Sequence, residues 1–170
     1  MEVHTLQDVL KDQLADLYSA EQELVVALPK MAEAAHSDKL REAFEHHLDE
    51  TQEQVHRLEK ALKAISFGLP PRAVSPGMRG LLDAGEEVIE ARGEPAALDA
   101  ALIAAAQRVE HYEIAGYGTA RALARELGFG TVRSLLSETL AEEGNADRTL
   151  TKLALGGLVS SGINESATTR

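Results

Sequence analysis

Apolar residues recur at helical spacing along nearly the whole chain, and the breaks between the stretches carry Pro, Gly and capping residues. The first stripe is Leu6, Leu10, Leu14, Leu17, Leu24, Leu28 and Met31. It predicts a helix to about His36, started by Thr5 with Asp8 completing a capping box. Pro29 predicts a kink inside it, because proline removes a backbone donor and crowds the preceding turn. Ser37 and Asp38 open a second helix to about Ile65, through Leu40, Phe44, Thr51, Val55, Leu58 and Leu62. Ser66 to Pro76 has the Pro and Gly density of a crossover loop, and residues 78–92 predict a short, weaker helix containing glycines. Pro95 opens a long helix striped by Leu102, Ala106, Val109, Tyr117, Ala120 and Leu127. Gly128-Phe129-Gly130 ends it, and Thr131 is expected to cap the last long helix, striped by Leu136, Leu140, Leu150 and Ala154. Gly156-Gly157 weakens that helix end, and the remaining residues read as a polar, frayed tail. One bundle domain is therefore expected over 1–160, with the tail at 161–170. No period-two alternation or β-branched run predicts a strand. Four long helices, with a long crossover and a short extra helix between the second and third, predict an all-α fold, a ferritin-like four-helix bundle.

Carboxylates interrupt these stripes. At about 100° per residue, Glu113 lies roughly 20° and Glu110 roughly 40° from the centre of their stripe. Glu21 lies roughly 30° from the centre of the first stripe, and Glu143 and Asp147 lie within roughly 20° of the last. On the second helix, His47, Glu50 and Gln54 form a row along the flank of the stripe. A bare carboxylate in a helical core costs several kcal/mol, so a compensating cation or a reason for neutrality is required. Four helices bringing acids to one level make a carboxylate cage. Hard oxygen ligands suit iron, manganese, magnesium or calcium, and two bridged metals would neutralise the charge. Iron or manganese with an open position could bind oxygen or peroxide. The other reading is a hydrogen-bonded network of the same acids with Arg, Tyr117 and Gln54.

The common di-iron bundle pattern includes Glu-x-x-His motifs, and the chain contains one literal match, Glu53-Gln54-Val55-His56. It is set aside, because Glu53 and His56 lie well over 100° from the apolar stripe and should face solvent. His47 is read as a ligand or as an outer partner of the ligands. Tyr18 and Tyr117 read as packing residues with tethered hydroxyls, and Glu86-Glu87 as a solvated face. His36, His46, His56 and His111 receive no role.

Composition narrows the classes. At 170 residues, the chain suits one domain able to bury a core without staples. With no cysteine, thiolate chemistry and disulfides are excluded, consistent with a reducing compartment. No membrane-length apolar run or signal-peptide start is present, so a cytoplasmic protein is expected. The net charge of −11 disfavours nucleic acid and favours cations as partners.

The pieces LQDVLKDQLADLYSAEQEL, HHLDETQEQVHRLEKAL, RVEHYEIAGYGT and LLSETLAEEGNADRTLTKLA resemble the YciE/YciF family of bacterial stress-associated ferritin-like proteins over almost the whole chain. The resemblance implies a ferritin-like fold, a homodimer and a dinuclear metal site. The family motifs fall on Glu21, Glu50, Gln54, Glu110, Glu113, Glu143 and Asp147. The expected metal ligands are thus Glu21, Glu50, Glu110, Glu113, Glu143 and Asp147, with His47, Gln54 and Tyr117 around them. The expected cofactors are two metal ions, iron first and manganese second. Two functions are compatible with these features: a di-metal protein handling iron, oxygen or peroxide under stress, or a non-catalytic dimeric structural or interaction protein.

Overall fold

A computed structural model describes residues 3–70, 74–157 and 160–168. The helices are α1 (Leu6–Ala34), α2 (Asp38–Ala64), α3 (Pro76–Glu90), α4 (Pro95–Glu126), α5 (Gly130–Leu155) and α6 (Ile163–Ala167). The fold is all-α. None of the described helices is long and apolar enough to cross a membrane.

Most element boundaries follow the sequence signals. Thr5 Oγ1 accepts from Asp8 N at 3.2 Å while Thr5 N donates to Asp8 Oδ2 at 2.9 Å, completing the expected capping box. α1 continues through Pro29 to Ala34. Pro76 and Pro95 open α3 and α4 at their first turns, where a missing N–H costs nothing. Two caps differ from expectation. Ser37 makes no side-chain cap for α2; instead Asp99, from α4, accepts from His36 N and Ser37 N, each at 2.8 Å. Thr131 does not cap α5, which begins one residue earlier at Gly130 behind Phe129. Gly128, at φ 74°, ends α4 in the left-handed conformation, with Phe129 N bonded to Ala124 O and Gly128 N to Arg125 O.

The chain after α5 also departs from a frayed tail. Gly156–Gly157 pairs antiparallel with Ser160–Ser161, and α6 then packs on α4 and α5, with Ile163 against the core. A two-residue ladder is too short to leave a periodic signal, and α6 is held by contacts rather than by helix propensity.

α1 packs on α2 and α4, and α5 packs on the same two, so the four long helices close into a ring. α3 lies against α4 and α1. Buried apolar side chains form two clusters, and every long helix passes from one to the other. One contains Leu24, Leu28, Phe44, Leu102, Val109 and Leu150. The other contains Leu10, Leu17, Leu58, Leu62, Tyr117 and Leu136. The switch falls at Glu21 on α1, between His47 and Gln54 on α2, at Glu110 and Glu113 on α4, and between Thr139 and Glu143 on α5. A polar layer therefore separates two oily ends.

Candidate metal centre

Each acid is placed by the stripe that carries it. Glu21 follows Leu17 by one helical turn, Glu113 precedes Tyr117 by one, and Glu143 follows Leu136 by two, so burying those neighbours carries the carboxylates inward. Glu21, Glu113 and Glu143 are fully buried, and Glu110 and His47 nearly so. One ligating atom from each of His47, Glu110, Glu113 and Glu143 lies within 4.8 Å of the others. His47 Nε2 faces Glu110 Oε1 at 3.4 Å and Glu143 Oε2 at 3.7 Å, and its Nδ1 faces Glu50 Oε2 at 3.6 Å. Glu21 accepts a hydrogen bond from the Tyr117 hydroxyl. Gln54 Nε2 donates to Glu143 Oε1 at 2.5 Å and to Glu142 Oε2 at 3.0 Å.

Many of these atoms have no partner. Glu21 Oε2, Glu110 Oε2, both Glu113 oxygens, Glu143 Oε2 and both His47 nitrogens are buried without a hydrogen bond. Leaving a buried polar atom unpaired costs about 1–3 kcal/mol, more for a charged one, so a group of them facing one another marks a missing partner. The donor set of carboxylates and one imidazole fits a hard or borderline divalent cation and could hold a metal ion.

A family profile described as "Domain of unknown function (DUF892)" matches residues 5–167. The chain belongs to the DUF892 family. This DUF892 chain is 45% identical to Protein YciF of Escherichia coli K12 over 155 residues, spanning 91% of the chain and 93% of that protein. The crystal structure of the E. coli stress protein YciF superposes with a TM-score of 0.88 at 41% identity, covering 98% of this chain and all (100%) of that one. A Rhodopseudomonas palustris protein, YcfI, whose description proposes a structural role, superposes with a TM-score of 0.86 at 40% identity over 91% of this chain and 98% of that one.

The electrostatics of this cluster in the DUF892 chain show what the acids do without a cation. Burial pushes Glu21 and Glu143 up to about 7 and Glu110 up to about 8, with His47 pulling each partway back. Glu113 rises well above the carboxylate range through burial, then through repulsion by Glu21, Glu143 and Glu110. For His47, burial opposes protonation, yet Glu110, Glu50, Glu143 and Glu21 together raise it to about 10. The centre resolves its charge with protons when nothing else is bound.

Of the residues read from the DUF892 sequence, Glu21, Glu110, Glu113, Glu143, Gln54 and Tyr117 gather in the buried layer. Glu50 and Asp147 stand at its edge, their side chains about a quarter exposed, at 23% each. Asp147 accepts from Gln107 Nε2 at 2.9 Å and lies 3.3 Å from His111 Nε2. Glu53 and His56 are exposed, as the rejected motif requires. His47 is more central than its sequence position suggested. Arg57 and Glu142 were missed. They form a bidentate pair at 2.5 and 2.6 Å, reinforced by Thr139 Oγ1 at 3.1 Å from Arg57, and reach the core acids only through Gln54. Among the described residues, no lysine or arginine stands at ion-pair distance from Glu21, Glu110, Glu113 or Glu143. The spacing of Gln54 and Arg57, one turn apart, was the one local signal.

Proposed function

We propose that this chain is a ferritin-like four-helix-bundle metalloprotein whose polar layer holds a dinuclear centre of iron, or of manganese. Its role would be handling Fe(II), oxygen or peroxide under stress. The observation that carries the reading is the set of unpaired buried atoms on Glu21, His47, Glu110, Glu113 and Glu143. These residues are the proposed inner ligands, with Glu50 and Asp147 as ligands at the edge. Bound iron or manganese would supply the open coordination position and the electrons for chemistry on oxygen or peroxide. The protein's part is to keep the ligands dry and aimed. Gln54 fixes Glu143, the Tyr117 hydroxyl fixes Glu21, and the two apolar clusters exclude water.

Stress involvement is supported by the similarity to YciF, described as a stress protein. The structural role proposed for the R. palustris relative supports a second reading, in which any metal only stabilises the bundle. Protein purified without chelator or nickel, analysed for metal and then given Fe(II) anaerobically before oxygen, tests both. Metal binding with oxygen uptake supports the first reading, and stoichiometric metal without turnover the second. Glu113→Ala and Glu143→Ala should abolish metal uptake and Glu53→Ala should not; retention in the first two would sink both metal readings.

A further inference from the structure

A cavity of about 140 Å³ lies between α2, α4 and α5, and His47 and Glu110, two members of the buried cluster, form part of its wall. On α2 it is also lined by His46, whose side chain is 75% exposed, and Glu50, at 23%. On α5 the wall is Asn145, Ala146 and Thr149. Polar atoms thus form a graded path inward. His46 Nε2 lies 3.5 Å from Glu50 Oε1, Glu50 Oε2 lies 3.6 Å from His47 Nδ1, and His47 Nε2 lies 3.4 Å from Glu110 Oε1. Exposure falls at each step, and the path ends at a buried Glu110 Oε2 and His47 nitrogens that have no hydrogen-bond partner. Among the described residues, the grooves beneath α3, along α1 and α2, beside α6, and near Phe67 touch none of the four clustered residues.

We propose that this cavity is the entry port through which a partly hydrated divalent cation reaches the centre, with Glu50 as its first ligand and His47 the residue that hands it inward. The inference rests on the metal-centre reading above. A single water needs roughly 10–15 Å³, so the cavity has room for an ion with several of its waters. No lysine or arginine among the described residues lines it, although Arg148 on α5 donates to the lining residue Asn145. Glu50, at the outer end of the path, is the acid that first meets an arriving cation. Thr149 offers a hydroxyl oxygen that can replace a shed water on the α5 side.

Co(II) is the probe, because its visible absorption reports arrival at a low-symmetry nitrogen and oxygen site. Stopped-flow mixing of the metal-free chain with Co(II) gives the uptake rate, and equilibrium dialysis gives the amount bound. Ala146→Phe fills the port from a residue that is not itself a proposed ligand, and should slow uptake about tenfold or more with the final stoichiometry unchanged. Thr149→Leu is a smaller plug that decides the matter if the phenylalanine disturbs folding. Glu50→Gln should slow uptake and flatten its ionic-strength dependence. Val26→Phe, in the groove beneath α3, should leave the rate as it is. Wild-type rates in folded plug variants, or equal slowing by Val26→Phe, overturn the port while leaving the centre intact. No Co(II) uptake by the unsubstituted chain overturns both.

Discussion

Glu113 shows how a single residue can be legible by position and illegible by role. Its place in the apolar stripe of α4 was readable from helical period alone, because neighbours such as Val109 and Tyr117 fix which face is buried. His47 was not readable in that way. A lone histidine on the flank of a stripe is usually just hydrogen-bonded, and only the closing of the four-helix ring puts its side chain among Glu50, Glu110 and Glu143. The Arg57–Glu142 pair was hidden for the same reason, since it joins residues on two helices. At Glu113, no donor from outside the acid cluster reaches either oxygen, so Glu113→Gln removes a group that must be kept protonated at a cost until a cation arrives. With chelator present at pH 8, this variant should be more stable than the parent by about 1–2 kcal/mol while losing metal capacity. Thermal melts paired with metal analysis check this, and a lower melt would mean the acid has an unseen partner. Tyr117→Phe works oppositely. It strips Glu21 of its donor, and should cost the metal-free chain about 1–3 kcal/mol in denaturant titrations while metal is still bound.

At the scale of elements, the sequence announced its helices well and their attachments poorly. Thr5, Pro95 and Gly128 act where local chemistry said they would, because caps and breakers work within one turn, whereas Pro76, read as loop, opens α3 two residues before its expected start. Ser37 makes no cap bond, and the carboxylate at this corner serves the two amides just ahead of α2 instead. Asp99 is buried on α4 and receives both free amides at the α1–α2 corner, with His36 Nδ1 a further 3.5 Å contact to Oδ1. That carboxylate ties the corner to the start of α4. Asp99→Ala would leave two amide donors without partners, and should destabilise the fold by about 2–4 kcal/mol, given charge-assisted bonds of about 1.5–3 kcal/mol each. Ser37→Ala should fall within about 0.5 kcal/mol, as expected of a side chain that makes no cap bond. Urea titrations of the two variants check the ranking, and equal losses would return the cap to Ser37.

At the scale of the molecule, the fold is two apolar clusters held apart by an acidic layer, and the energetic question is what keeps that layer closed. Without a cation, protons do. Glu21, Glu110, Glu113 and Glu143 all titrate above their ordinary value, and the native state therefore holds more protons than the unfolded chain across neutral pH. The stabilisation from these protons is fully present below the ordinary carboxylate value and is lost as pH rises through about 7 to 8. His47 adds in the same direction, since its raised value, about 10, means a contribution present below its ordinary 6.5 and lost on the way to 10. Ordinary surface carboxylates are ionised in both states above about pH 5.5 and add little slope there. The metal-free protein should therefore melt at progressively lower temperature from about pH 5.5 to about pH 8.5. A bound divalent cation displaces those protons and binds more tightly as pH rises, adding about 2.7 kcal/mol at a hundredfold excess over its dissociation constant. Metal-loaded protein should reverse the trend, so that the two melting curves separate most at the alkaline end. Glu113→Gln should make the metal-free profile shallower by removing one of the titrating groups. A metal-free profile that is flat, or rises with pH, would show that the acids are ionised and paired in the native state, leaving no need for a cation.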